Sequence, residues 1–214
     1  MNRNGLNKKL IAEFLGTFGI VFAPVMASAA KTDLAIAAWV SGLAVTAMIY
    51  IFGPVSGAQF NPAVTLALAL SGKQEKREVL PYISAQFLGG LAAGLLGLLL
   101  YGGAFGTHVP SAPDAALRNI GTEIVLSATL MLVIFAVIRK ENAFAPLVIG
   151  LTVVLLVMMG GNITGGSMNP ARSLGPDIVG GSQTLGTIWI YLIGPPIGTV
   201  FAWMLERNVL VPRA

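Results

Sequence analysis

The sequence predicts an all-α membrane protein in which six transmembrane helices and two re-entrant half-helices form an inverted repeat. Three observations carry that prediction: an apolar excess gathered into six long runs, two shorter apolar segments that each open on Asn-Pro-Ala, and spacings that recur in both halves of the chain. Of the 214 residues, 55% are hydrophobic and 10% charged, whereas a soluble domain carries about 25% charged residues. The apolar runs reach the roughly 20 residues that a hydrocarbon core about 30 Å thick demands.

The runs extend approximately over Leu10–Ala30, Leu34–Val55, Val79–Tyr101, Leu117–Ile138, Phe144–Gly161 and Leu185–Glu206. The first is long enough to be a retained helix rather than a cleaved leader. An even number of crossings places both termini on one side. Arg3, Lys8, Lys9, Lys73, Lys76, Arg77, Arg139, Lys140, Arg207 and Arg213 fall on that side, against Lys31, Arg118 and Arg172 on the other. Cytoplasmic loops collect Lys and Arg, so the termini are expected to be cytoplasmic, in a plasma (inner) membrane. The net charge of +4 is thus a topology signal. Its basic residues lie in short loops rather than on one face, and no nucleic-acid partner is expected.

Asn61 to about Leu70 and Asn169 to about Val179 are too short to span. About ten helical residues at 1.5 Å each reach only half the hydrocarbon thickness. Asparagine is a favoured N-cap and proline is favoured at the first helical position, so Asn61-Pro62-Ala63 and Asn169-Pro170-Ala171 each start a helix. Non-helical backbone at membrane depth is tolerated where protein or a wet cavity satisfies it. The stretches Ser56–Phe60 and Thr164–Met168 are therefore expected to line a cavity.

The halves, approximately 8–101 and 117–206 of one channel domain, correspond in detail. Gln86 and Gly90 follow Asn61 by 25 and 29 residues, as Gly194 and Gly198 follow Asn169; Glu13 precedes Asn61 by 48 and Glu123 precedes Asn169 by 46. Three crossings per half turn the second half upside down, and such folds place their sites near the midplane. The two short helices then bring their N-termini together from opposite faces. Each N-terminus carries roughly +0.5 of a charge, which disfavours cations between them. The amides of Asn61 and Asn169 are placed to donate hydrogen bonds to a passing oxygen, favouring neutral hydroxylic solutes and interrupting proton hopping.

Arg172 is the basic residue inside an apolar element, and such a charge is expected to face water. Glu13 and Glu123 are carboxylates inside spans: either they relay protons, or they accept hydrogen bonds from the neighbouring re-entrant backbone, and the second reading is preferred. Small residues such as Gly90 and Gly198 are expected to permit close helix packing. Met158 and Met159 are either pore lining or filler. Cysteine is absent, which excludes disulfides and thiolate chemistry. No cofactor, metal or nucleotide motif and no enzyme chemistry is recognised.

The stretches Ser56-Gly57-Ala58-Gln59-Phe60-Asn61-Pro62-Ala63-Val64-Thr65 and Ser167-Met168-Asn169-Pro170-Ala171-Arg172-Ser173 resemble the signature loops of aquaporins, the major intrinsic proteins, and the resemblance covers essentially the whole chain. It implies a homotetramer in the lipid bilayer, with one passive pore per subunit. It also implies supporting roles for Glu13 and Glu123, and an outer selectivity filter of Ser41, Val157, Gly166 and Arg172. Strict water channels have an aromatic at the first of those positions and a histidine at the second, so a wider constriction is expected here. The sole histidine, His108, falls in the connecting loop from Gly102 to Asn119 and on this reading takes no part in the filter. The run Asn162–Pro176 is similar to the plant nodulin-type intrinsic proteins and their bacterial relatives, which conduct glycerol and uncharged metalloid acids. Ser173 in place of the aspartate of glycerol facilitators, Gln59 in place of a common histidine, and Asp177 depart from these patterns. The implied activity is passage of water and small neutral solutes: glycerol, urea, and boric, silicic or arsenous acid. A strictly water-selective pore and a proton-coupled secondary transporter are the alternatives.

Overall fold

The computed structural model describes residues 3–139 and 142–210. Lys140 and Arg213, two of the basic residues used for orientation, lie outside the described residues. The chain forms α1 (Arg3–Ala29), α2 (Leu34–Ser56), α3 (Pro62–Leu70), α4 (Lys76–Tyr101), α5 (Ala116–Ile138), α6 (Ala145–Thr164), α7 (Pro170–Gly180), the single turn α8 (Ser182–Leu185) and α9 (Ile188–Leu205), which ends in a π-helical turn, Glu206–Leu210. Among the described residues, six helices are long and apolar enough to cross a membrane. Their outward faces expose large apolar side chains such as Leu80, Leu99 and Leu117, which suits lipid and not water. Met158 and Met159 belong to that outward surface, 40% and 58% exposed, and are absent from the cavity wall.

Local chemistry sets the ends. Asp33 caps α2, accepting the Ile36 N–H at 2.8 Å, and Gly57 closes the same helix with a left-handed φ of 84°. Gly165 closes α6 with the same φ of 84°. Two ends differ from the sequence expectation. The first helix begins at Arg3 rather than Leu10, because its polar opening turns continue the helix past the apolar run. The last begins at Ile188 rather than Leu185, since Thr184 bonds back to the Asp177 carbonyl at 2.7 Å and holds α8 against α7.

In each half the first crossing packs on the third, α1 on α4 and α5 on α9, and the halves join through α2 and α6. Each half-helix seats against the other half: α7 on α4, α3 on α9. Gly90 makes the first contact possible, as a Cβ there would collide with the Ala171 carbonyl. Lys9 meets Glu78 at 3.1 Å, joining the starts of α1 and α4, and Arg139 meets Glu206, joining the ends of α5 and α9; an even number of crossings puts all four ends on one face. That face carries the termini; the α4–α5 loop lies on the opposite face.

Candidate functional site

Two loops of matching conformation form the centre. Gly57 and Gly165 have φ of 84°, Ala58 and Gly166 have 50° and 59°, and Phe60 and Met168 have 50° and 56°. Asn61 and Asn169 follow in extended conformation at −152° and −151°. Left-handed backbone at a non-glycine residue costs on the order of 1–3 kcal/mol and persists only where the surroundings enforce it. Here buried carboxylates do so. Glu13 accepts from the Ser56 hydroxyl at 2.7 Å, the Gln59 N–H at 3.0 Å, the Phe60 N–H at 2.7 Å and Gln86 Nε2 at 2.8 Å. Glu123 accepts from the Thr164 hydroxyl at 2.7 Å, the Ser167 N–H at 3.0 Å and the Met168 N–H at 2.7 Å.

Two tyrosines complete the frame, and their supporting role escaped the sequence reading. Tyr82 donates to the Ser56 carbonyl at 3.0 Å and Tyr191 to the Thr164 carbonyl at 2.7 Å. Their near-equal distances after the two asparagines, 21 and 22 residues, were the available signal.

The turned backbone at Phe60 and Met168 aims each carbonyl at the other loop. Asn61 Nδ2 donates to Met168 O at 2.8 Å, and Asn169 Nδ2 donates to Phe60 O at 2.9 Å. Their Oδ1 atoms cap the half-helices, accepting from the Ala63 and Ala171 N–H groups at 2.9 Å each. An amide nitrogen carries two hydrogens, so each asparagine keeps one donor for the space in front of it. Pro62 and Pro170 occupy the first helical positions, and Ala63 and Ala171 are fully buried behind them.

That space is a cavity of about 660 Å³. It runs from Tyr50 and Asn142 at the terminal face, past Asn61 and Asn169, to Ser41 and Arg172. Aliphatic side chains, among them Val45, Ile49 and Val153, supply apolar wall, and the asparagines and loop residues supply its polar groups. Ser41 turns its hydroxyl to the Ala37 carbonyl at 2.8 Å. Arg172 Nη1 donates to Gly166 O at 3.0 Å, and Gly166 lies against the Val157 backbone. Ser41 and Arg172 line the cavity; Val157 and Gly166 adjoin them without doing so.

His108 lies in the connecting loop and off the cavity wall, yet its Nε2 is 2.8 Å from Arg172 Nη1, because the loop after α4 folds inward over the end of α7. Burial, with the Arg172 charge beside it, holds the imidazole well below its ordinary pKa. Asp177 is buried on α7 and accepts the His108 N–H at 2.8 Å. At the other end Gln59 lines the cavity and donates to Gln74 at 2.7 Å, which donates to Glu78 at 3.0 Å.

A cavity lined by paired half-helices and their loops inside six apolar crossings is the architecture of a multi-pass membrane channel. The match to the model described as Major intrinsic protein covers residues 1–205. The chain belongs to that family. It is 41% identical over 209 residues to Aquaporin NIP1-1 of Zea mays, covering 92% of this chain and 73% of that one. It is 34% identical over 210 residues to Glycerol uptake facilitator protein-like 6 of Lactiplantibacillus plantarum, covering 94% and 97%. The aquaglyceroporin of Plasmodium falciparum superposes with a TM-score of 0.88 at 26% identity, covering 97% of this chain and 98% of the other.

Proposed function

We propose that this chain is a passive channel for water and small uncharged solutes, namely glycerol, urea and metalloid acids such as boric, silicic or arsenous acid, that excludes ions and protons. The observation that carries the reading is the single cavity reaching from Tyr50 past both asparagines to Ser41 and Arg172. The apolar wall gives a solute's carbon skeleton a surface that water does not compete for, while the free amide hydrogens replace hydration at the midpoint. The positive ends of α3 and α7 and the Arg172 guanidinium make the same path hostile to cations.

Ser41 and Arg172, which line the cavity, form the outer filter in this reading together with Val157 and Gly166, which adjoin it from behind. Three of them are small or unpolar, leaving arginine to supply hydrogen bonds, and the kinship with a glycerol uptake facilitator and an aquaglyceroporin supports solutes larger than water. Glu13 and Glu123 are loop supports: their oxygens are occupied by the re-entrant backbone, which argues against a proton relay. The functional unit is a homotetramer in the plasma (inner) membrane with cytoplasmic termini, consistent with the basic residues gathered on the terminal face.

The test is stopped-flow light scattering on proteoliposomes under sucrose, glycerol, urea and boric acid gradients, with and without a proton gradient. Fast shrinkage in sucrose and solute-driven reswelling are expected. Shrinkage without reswelling would select a strictly water-selective pore, and uptake against a gradient would select a transporter.

A further inference from the structure

Arg172 Nη1 has two hydrogens, and two acceptors meet them: Gly166 O at 3.0 Å and His108 Nε2 at 2.8 Å. A guanidinium only donates, so the imidazole nitrogen facing it must be unprotonated and the ring proton must sit on Nδ1. Nη1 is thereby fully used. Arg172 is left with Nε and Nη2 for whatever moves along the cavity.

Several independent features seat that ring. The His108 backbone N–H donates to the buried Asp177 carboxylate at 2.8 Å, and its ring lies 5.4 Å from the Tyr191 ring, centroid to centroid. Residue 165 leaves room for the ring because it is glycine: a Cβ there would come within 2.8 Å of His108 Cδ2. The loop is also pinned beyond the histidine, where the Ser111 N–H donates to Ile163 O at 2.9 Å. His108 itself is only 4% exposed and is absent from the cavity wall, so it acts through Arg172 and not by touching solute.

We propose that His108 is a positioning residue of the outer constriction, whose neutral Nε2 and the Gly166 carbonyl together hold the Arg172 guanidinium against the wall. This rests on the reading of Arg172 as a filter residue. The width of the opening and the number of arginine donors offered to solute are then set by a loop residue as well as by the filter itself. The small Ser41 lines the same cavity as Arg172 and leaves its space unfilled, so an unpinned guanidinium has room to move into the path.

The experiment compares wild type with His108→Leu, which cannot accept, and His108→Gln, whose side-chain carbonyl can. Water, glycerol and urea permeabilities are measured in the same proteoliposomes. Loss of the acceptor should lower the glycerol-to-water permeability ratio about three- to tenfold, the range that corresponds to the net contribution of one ordinary intramolecular hydrogen bond. His108→Gln should restore it to within about twofold. An unchanged ratio in His108→Leu overturns the proposal, as does an equal fall in both variants, which would assign the effect to ring packing. Wild-type vesicles no faster than empty ones would instead sink the channel reading itself. Should His108→Leu fail to fold, wild type alone decides: with one histidine in the sequence, ¹⁵N-histidine labelling of tag-free protein reports this ring only. A tautomer protonated at Nδ1 is expected; one protonated at Nε2 overturns the proposal.

Discussion

Asn61 donates from its amide nitrogen to the carbonyl of Met168, 2.8 Å away and 107 residues along the chain. Asn169 returns the bond to Phe60 at 2.9 Å. The two half-helices are therefore tied tip to tip by the residues that also cap them and face the cavity. One side chain performs three tasks, and that concentration makes it sensitive to change.

Asn169→Ala removes a helix cap, a tie between the loops and a donor facing the cavity. Loss of a cap alone costs about 1 kcal/mol, and the orphaned Phe60 carbonyl adds to it. Thermal unfolding of the detergent-solubilised protein should shift to lower temperature, and water permeability should fall several-fold in the same preparation. A variant with wild-type stability and flux would show the tie to be dispensable.

Replacing Ser41 with phenylalanine and Val157 with histidine together should suppress glycerol and boric acid flux far more than water flux. Steric discrimination of this kind is worth about 1–3 kcal/mol, or on the order of 10–200-fold. Equal losses of water and solute flux would mean that these positions do not form the filter.

Arg172→Val deletes the fixed charge at the outer end of the cavity and leaves the half-helix dipoles as the remaining electrostatic barrier. A proton or monovalent cation leak should appear, read with a pH dye trapped in the vesicles or by planar-bilayer current. An ion-tight pore after this change would assign the barrier to the asparagine region alone.

The buried imidazole of His108 predicts a pH dependence of stability. Its pKa is depressed in the folded state by burial and by Arg172, whereas the unfolded chain titrates near about 6.5. The neutral ring therefore contributes stability above that value, and the contribution is lost as pH falls toward the folded-state pKa. The thermal midpoint of wild type should drop more steeply between pH 8 and pH 5, as an approximate window around that pKa, than that of His108→Gln. Parallel curves would exclude the histidine as the cause.

Local chemistry makes much of this protein legible in its sequence. Six apolar runs announce crossings because a bilayer forbids unsatisfied backbone. Asn-Pro starts a helix because asparagine caps and proline lacks the N–H that would be orphaned there, so the starts of α3 and α7 were legible to the residue. The recurrence of Glu13 and Glu123, and of Gly90 and Gly198, exposed the repeat because equivalent packing demands equivalent residue types.

Tertiary structure alone decided which groups meet. The left-handed backbone at Phe60 and Met168 has no signature in a phenylalanine or a methionine; it exists because carboxylates on α1 and α5 bond the adjoining N–H groups. The pairing of His108 with Arg172, 64 residues apart, was invisible because the loop's course depends on room left by Gly165 and on an aspartate of α7. Sequence periodicity reports how a segment satisfies its own backbone, whereas a contact between distant segments is fixed only when packing closes the space between them.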